Sequence, residues 1–235
     1  MSWTLGLDCS SVEMGLGLYG DSGPVCGLSR YVANSHAEHI ASSVEMVLDS
    51  AGAAPGDIDR VGVATGPGSF TGLRIALAFV KGFCFDRDVK VLPVSSLHSL
   101  AHAWGPRTGP VVAAFDARRN EVFWARFEWR DGALVRCTDD ALCGGDAFVS
   151  ALGKDDMVVT DTLGYARSTV FGPLDGRAGV YGVERFPCQR GLSCAAIASS
   201  APAGSSEWTS AQQVLPRYLR PSYAEERRAQ REEKR

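Results

Sequence analysis

The sequence contains no apolar run of the roughly 18–20 residues that a membrane-spanning helix needs. Residues 1–8 lack the basic start and the long apolar stretch of a signal peptide, so we expect a cytoplasmic protein without membrane contact. The seven cysteines include no C-x-x-C pair, which argues against a disulfide framework and against a structural zinc site. The formal net charge of −3 gives no overall attraction to nucleic acid, so any contact with RNA has to be local or shared with a partner.

What the sequence does contain is a period-two pattern at its start. Apolar residues alternate with small or polar ones from Trp3 to Asp8 and again from Met14 to Leu18, which predicts an antiparallel hairpin. The turn Asp21-Ser22-Gly23-Pro24 leads to a third predicted strand at Val25 to Tyr31. Ser35 and Glu38 have the spacing of a capping box and predict a helix that runs to about Ala51.

The same opening recurs about 108 residues later, so that Asp8 and Asp116 stand at equivalent corners. Val111 to Phe115 precedes Asp116, and two further strands are predicted at 121–129 and 134–137. Between the two openings the chain alternates helix and strand, which predicts an α/β fold with a mixed sheet covered by helices. We therefore predict an N-terminal lobe at 1–105, a second lobe at 106–223 and a charged, disordered tail at 224–235.

The helix predicted at about 70–85 is apolar over roughly 200° of its circumference, whereas one sheet needs a stripe of only about 100°. Its second apolar side is covered either by the neighbouring helix or by another chain. A weaker seam of small and adaptable side chains on the preceding helix favours a partner interface. The candidate interface residues on these two helices are His39, Ser43, Met46, Ser50, Gly72, Ile75, Ala76, Phe79 and Phe83.

A glycine-rich turn, Gly66-Pro67-Gly68-Ser69, follows a predicted strand (61–65) and opens this helix, with Ser69 or Thr71 as its cap. Phosphate-binding loops use such a turn because bare amides and the helix dipole attract anions. Pro67 removes one amide and the Gly-Lys-Ser/Thr of a P-loop is missing, so a tight structural corner is the preferred interpretation.

Five runs in chain order resemble the TsaB, or YeaZ, family: L-G-L-D-C-S-S (Leu5 to Ser11), G-P-G-S-F-T-G-L-R (Gly66 to Arg74), V-S-S-L (Val94 to Leu97), D-A-R-R-N-E-V-F-W-A (Asp116 to Ala125) and P-R-Y-L-R (Pro216 to Arg220). The resemblance implies a duplicated actin-like, ribonuclease-H-like fold in two lobes. It also implies a non-catalytic partner of the enzyme TsaD in making threonylcarbamoyladenosine beside the tRNA anticodon, with the ATPase TsaE joining the complex. Family members pair with TsaD, or with themselves, through first-lobe helices, so tRNA is expected to be contacted only indirectly.

An enzyme acting alone is the rival interpretation. In actin-like ATPases the first hairpin corner handles phosphate and metal, so Asp8, Ser10, Ser11, Gly66 and Gly68 are the candidates to lie near a nucleotide. An ATPase or kinase would use Asp8 with Asp116, yet Arg118 and Arg119 follow Asp116 in place of small residues. We assign no catalytic residue, no metal ligand and no required cofactor to this chain, and we expect ATP or ADP only within the multi-subunit complex.

The histidines leave one further alternative. The metal-binding H-x-x-x-H pair of TsaD aligns with Ser96 and Leu100, which cannot ligate metal as imidazole does. His98 and His102 do have that spacing, but no Asp, Glu or Cys in the segment completes a site, so a metalloprotease is the least favoured function. His36 and His39 are interpreted as surface or interface residues. The polar corner at 116–121 is either an internal ion-pair cluster or an exposed contact for TsaD, TsaE or tRNA.

Overall fold

The structure, a computed structural model, describes residues 2–32, 35–161, 169–171, 174, 180–182 and 189–220. Its first sheet begins with an antiparallel meander of β1 (Trp3–Asp8), β2 (Glu13–Gly20) and β3 (Gly23–Tyr31). Strands β4 (Ile58–Gly66) and β5 (Lys90–Ser95) extend the sheet in parallel on the other side of β1. The hairpin and third strand predicted from the period-two pattern are confirmed.

Helices α1 (His36–Ser50) and α2 (Phe70–Phe83) lie side by side on one face of this sheet. A single turn of 3-10 helix at Pro55–Asp57 connects α1 to β4. The face beneath the two helices carries the apolar half of each alternation, such as Leu5, Leu7 and Leu16, all fully buried. Alternation therefore directs one row of side chains into the core that these helices close.

On the opposite face of the first sheet, strands β1 and β2 present glycines, while β4 and β5 add an apolar cluster that includes Leu92 and Val94. Helix α5 (Gln189–Ser200) lies on this face, and a Cβ added at Gly6 would come within 2.1 Å of Gly191 O, while one added at Gly17 would come within 2.3 Å of Leu192 Cα. Glycine is required at such positions because the helix and strand backbones are in contact. Helix α5 was not predicted from the sequence, although the glycines that alternate with the leucines in β1 and β2 indicate a closely packed helix.

The second sheet repeats the topology of the first. Its members are β6 (Val111–Asp116), β7 (Glu121–Arg130), β8 (Ala133–Arg136), β9 (Ala141–Gly144), β10 (Met157–Thr160) and β11 (Val180–Gly182). Strands β6, β7 and β8 form an antiparallel meander, and β10 and β11 extend it in parallel beside β6, so the order β11-β10-β6-β7-β8 matches β5-β4-β1-β2-β3 of the first sheet. The predicted duplication and the two-lobe α/β class are confirmed.

Helix α3 (Ser96–Trp104) covers one face of the second sheet and also packs against α5, whereas α4 (Gly145–Ala151) follows β9 and packs against β9 and β7. Leu97 and Leu100 of α3 pack with Phe115 and Phe127 of the sheet. On the other face, Phe148 of α4 is fully buried. Because α3 contacts strands of both sheets, it connects the two lobes.

Two details differ from the sequence analysis. Ser35 does occupy the cap position of α1, but its hydroxyl donates to Val32 O instead of bonding to the helix amides, so the predicted capping box is wrong. The domain boundary near residue 105 stays a prediction. Two elements that were assigned to the second lobe (106–223) nevertheless contact the first sheet: α5 packs on it, and strand β12 (Thr209–Ser210) pairs with β5.

The predicted tail at 224–235 lies outside the described residues. Among those that are described, no helix combines the length and apolarity needed to cross a membrane.

Candidate functional site

The carboxylate of Asp8 lies fully buried at the end of β1, between the two lobes. Its Oδ1 accepts hydrogen bonds from the amide and hydroxyl of Ser10 at 2.9 and 2.5 Å. Its Oδ2 accepts a hydrogen bond of 2.6 Å from the hydroxyl of Ser99 on α3. Both carboxylate oxygens therefore accept hydrogen bonds from the protein, as buried polar groups require.

The guanidinium of Arg190, at the start of α5, completes this corner. Its Nη1 lies 3.9 Å from Asp8 Oδ1 and donates to Ser10 Oγ at 3.3 Å, while its Nη2 donates to Ser11 Oγ at 2.5 Å and to Glu13 O at 3.3 Å. Burial alone would lower the pKa of Arg190, but the surrounding carboxylates, foremost that of Asp8, outweigh burial and raise the pKa above its ordinary value. Arg190 is therefore a permanent buried cation beside Asp8.

The glycine-rich turn closes against the same corner. A Cβ on Gly68, whose φ is +149°, would lie 2.4 Å from Ser10 O, and a Cβ on Gly72 would lie 2.1 Å from Cys9 O. Ser69 N donates to Ser10 O at 2.6 Å, and Ser69 Oγ caps α2 by accepting from Gly72 N at 3.2 Å. The close approach that these glycines permit is to the chain's own backbone, which supports the interpretation as a structural corner.

The candidates Asp8, Ser10, Ser11 and Gly68 are thus brought together, with Gly66 at the start of the same turn. A metal–nucleotide group does not fit these residues as they stand. The guanidinium of Arg190 takes the hydroxyls and faces the carboxylate that would hold a cation, and the Ser69 amide is used internally.

His36 corrects one prediction. It is the first residue of α1 and is buried, and its Nε2 lies 2.9 Å from Ser11 O. Burial lowers the pKa of His36, so the ring is neutral near pH 7 and donates to that carbonyl. His36 is therefore an internal link between α1 and the first corner, whereas His39 remains half-exposed.

The second corner, at Asp116, is built differently from the first. Asp116 Oδ1 accepts from the amide of Arg118 at 2.8 Å, and Arg118, Arg119 and Asn120 all have left-handed backbone with φ of 64°, 57° and 58°. Arg220 forms an ion pair with Glu121 of the same corner. The partner Arg220 comes from outside residues 116–121 and the side chain of Arg118 is exposed to solvent, so both alternatives for this corner stay predictions.

The segment 215–220, which contains P-R-Y-L-R, ties the two lobes together. Arg217 N donates to Thr65 O at 2.7 Å, and the ring of Tyr218 stacks on Phe70 with centroids 4.8 Å apart. Arg74 on α2 donates from Nε to Tyr218 Oη at 2.8 Å. Two residues later, the Arg220 pair reaches the second corner, so this run spans from α2 to the other lobe.

The nine predicted interface residues divide into two groups. His39, Met46 and Ser50 on α1 and Ile75, Phe79 and Phe83 on α2 keep exposed surface, with Met46 58% exposed. Ser43, Gly72 and Ala76 are buried, which corrects the prediction, since the neighbouring helix and sheet already cover them. Phe79 and Phe83 stack on each other at 5.6 Å. We call the partly exposed set Met46, Ile75, Phe79 and Phe83 the α1–α2 face.

His98 and His102 serve packing in this structure. The ring of His98 stacks on Phe127 at 5.4 Å, and burial, helped by neighbouring cationic groups, lowers the pKa of His98 to about 4. His102 Nδ1 lies 3.1 Å from Ser193 Oγ on α5, and its ring lies 5.6 Å from that of Trp129. Within the described ranges, no group of three or more His, Cys, Asp or Glu side chains is arranged to hold a metal ion.

Two sheets that share the order of five strands, each with an aspartate at the end of its first strand, Asp8 and Asp116, define a protein of the actin-like α/β class. Component A of (R)-2-hydroxyglutaryl-CoA dehydratase from Acidaminococcus fermentans has the same fold at TM-score 0.50 and 12% identity, covering 84% of this chain and 98% of that chain. Residues 30–157, more than half of the sequence, match the family model described as TsaD: tRNA N6-adenosine threonylcarbamoyltransferase.

The nearer relatives identify the branch. The tRNA threonylcarbamoyladenosine biosynthesis protein TsaB of Bacillus subtilis is 29% identical over 136 residues, which make up 58% of this chain and 59% of that protein. The structure of YeaZ from Pseudomonas aeruginosa superimposes with TM-score 0.75 at 27% identity, covering 93% of this chain and 100% of that chain. The chain belongs to the TsaB, or YeaZ, family.

Proposed function

We propose that this chain is a non-catalytic subunit that pairs with a TsaD-type threonylcarbamoyltransferase and thereby supports threonylcarbamoylation of adenosine beside the tRNA anticodon. The B. subtilis relative carries a name from this pathway, and the family model that matches residues 30–157 is described by the transferase reaction. Further parts of the proposal are cytoplasmic location, self-pairing as a second use of the same surface, and assembly with TsaE in a larger complex.

The observation that carries the proposal is the α1–α2 face. The inner side of α2 is sealed by its own sheet, with Leu73 and Val80 fully buried, yet Phe79 and Phe83 keep exposed surface, and Met46 on the adjacent helix is exposed as well. Removing apolar surface from water is favourable by about 25 cal/mol per Å². A complex in which a second pair of helices packs across this face is therefore stabilised by the apolar surface that it buries. An amphipathic helix pair on the partner is the matching shape.

The corner at Asp8 supports the non-catalytic part of the proposal. A hydrolase or kinase would need Asp8 free to hold a cation or to activate a nucleophile, whereas its oxygens are occupied by Ser10 and Ser99 and faced by Arg190. In the proposed role the chain needs no cofactor of its own, and ATP or ADP enters only through the other subunits. Contact with tRNA is then made by the assembled complex.

The test compares two face variants with a matched surface control. Met46→Glu and Phe79→Glu place a carboxylate on the α1–α2 face, and Val135→Glu places one on a 37% exposed position in β8 of the other lobe. An unpaired charge buried in an interface costs several kcal/mol, so we expect the dissociation constant for the TsaD of the same organism to rise about 100-fold or more for the face variants. Titration calorimetry measures it, with circular dichroism to check folding.

Two results would contradict the proposal. One is folded Met46→Glu and Phe79→Glu proteins that bind TsaD as tightly as Val135→Glu does. The other is release of phosphate from ATP and magnesium by the purified chain alone, abolished by Asp8→Asn, since that would make the Asp8 corner an active site.

A further inference from the structure

The guanidinium of Arg190 is enclosed by oxygen atoms. Ser10 Oγ, Ser11 Oγ and Glu13 O accept its hydrogen bonds, and the carboxylate oxygens of Asp8 and Glu13 lie 3.9 and 4.0 Å away. Hydroxyl, carbonyl and carboxylate oxygens together are the ligand set of a hard divalent cation such as Mg²⁺ or Mn²⁺. A protein side chain therefore occupies an oxygen-lined position that would otherwise suit a cation.

This cation also joins parts of the molecule that are distant in sequence. Arg190 stands 180 residues from Ser10 along the chain and lies over the ring of Phe115 from the second sheet at 5.7 Å. The carboxylate of Asp161, just beyond β10 of the second lobe, also raises the pKa of Arg190. Asp8 from the first lobe and Asp161 from the second thus both face the same positive charge.

The position of Arg190 is imposed by backbone contact. A Cβ on Gly191 would lie 2.3 Å from both Gly15 C and Leu16 N, so the first turn of α5 is pressed against β2. This backbone contact fixes the position of α5 along β2, and it thereby places the side chain of Arg190, the second residue of the helix, at the corner. The arginine is 6% exposed, which leaves water little access to the charges it compensates.

We propose that Arg190 is a resident cation: it replaces a metal ion between the lobes, so that the lobes stay joined without any bound metal or nucleotide. The inference concerns the chain alone and holds whether or not the proposed pairing with TsaD is correct. Its chemical consequence is that the corner becomes a site for a divalent cation once the guanidinium is removed.

The experiment uses the full chain and Mn²⁺ as the probe, with thermal unfolding and titration calorimetry as readouts. Arg190→Met removes the charge and keeps the length of the stem, Arg190→Lys keeps a charge, and Asp8→Asn with Arg190→Met removes both partners. Arg126→Met is the matched control, because Arg126 of β7 pairs with the buried Asp156 at 2.5 Å within the second lobe.

Removing one partner of a buried pair should lower the melting temperature of Arg190→Met by roughly 6–20 °C. We expect millimolar Mn²⁺ to recover part of this loss, to bind Arg190→Met at least tenfold more tightly than the unaltered chain, and to leave Arg126→Met unchanged. Arg190→Lys should be the least affected, and the double variant should be more stable than Arg190→Met and insensitive to Mn²⁺.

The proposal is overturned if Mn²⁺ stabilises the unaltered chain as much as Arg190→Met, because the corner would then already be open. It is equally overturned if Mn²⁺ leaves Arg190→Met unchanged. Should Arg190→Met fail to fold, the double variant decides: a folded double variant supports charge compensation, and an unfolded one shows that the arginine is needed for packing instead.

Discussion

Substituting alanine for Gly62 tests the contact between α5 and the first sheet. A Cβ at Gly62 would lie 2.1 Å from Cys194 O and 2.9 Å from Ala198 Cβ, so α5 would have to move away by roughly 1 Å. Overpacking typically costs 1–3 kcal/mol, and because the atoms here belong to two backbones we expect the upper end, about 3 kcal/mol. For a chain of this size that corresponds to a fall in melting temperature of roughly 6–12 °C.

Gly82→Ala provides a control of opposite sign. Gly82 lies in α2, and a Cβ there would meet no atom within 4 Å, so alanine should stabilise the protein by about 0.5–1 kcal/mol through helix propensity alone. Equilibrium unfolding in urea, followed by circular dichroism, measures both changes. If Gly62→Ala were as stable as the unaltered chain, α5 would not lie against the strand backbone and the description of the corner would fail with it.

Two further predictions concern pH and the 215–220 segment. The pKa of His98 is about 4 in the folded chain and near 6.5 in the unfolded chain, so the unfolded chain takes up the proton first as the pH falls. The neutral, buried His98 ring therefore contributes fully to the free energy of unfolding above pH 6.5, and this contribution is lost as the pH falls toward 4. His98→Leu should therefore flatten the decline of unfolding free energy between pH 7 and 4 by up to about 3 kcal/mol, and an unchanged slope would contradict the burial of this ring against Phe127. Tyr218→Phe keeps the stacking on Phe70 but loses the hydrogen bond from Arg74, which should lower the free energy of unfolding in urea by about 0.5–1 kcal/mol. Tyr218→Ala also loses the stacking and should lower it further. Equal losses in the two variants would show that the stacking contributes nothing to stability.

Local patterns predicted most of the fold. The alternation around Leu5 and Leu16 indicated the hairpin because a strand buries every second side chain, and its recurrence before Asp116 indicated the duplication. The excess apolar surface of α2 predicted two covers, of which the cover by a partner stays a prediction. Its burial in the chain proved larger than predicted, since Ala76 and Gly72 lie against the protein itself.

The candidate site was predicted only in part. The run around Asp8 and the Gly66-Pro67-Gly68 turn do meet, as is expected of residues that were grouped as candidates near one nucleotide. The group around which they meet could not be predicted, because α5 has few large apolar residues and contacts the sheet through glycines. His36 was misplaced for a related reason, since the first residue of a helix can point inward or outward without any change in pattern.

The hairpin strands at the start of each lobe, the repeat and the apolar face of α2 were determined by the sequence alone, because period and composition act over a few residues and do not depend on distant partners. The nature of the Asp8 corner was decided only by the tertiary structure. A buried carboxylate must be compensated by some positive charge, but nothing local to Asp8 specifies which one. Only the docking of a helix 180 residues away, through backbone contacts that glycine permits, places Arg190 there.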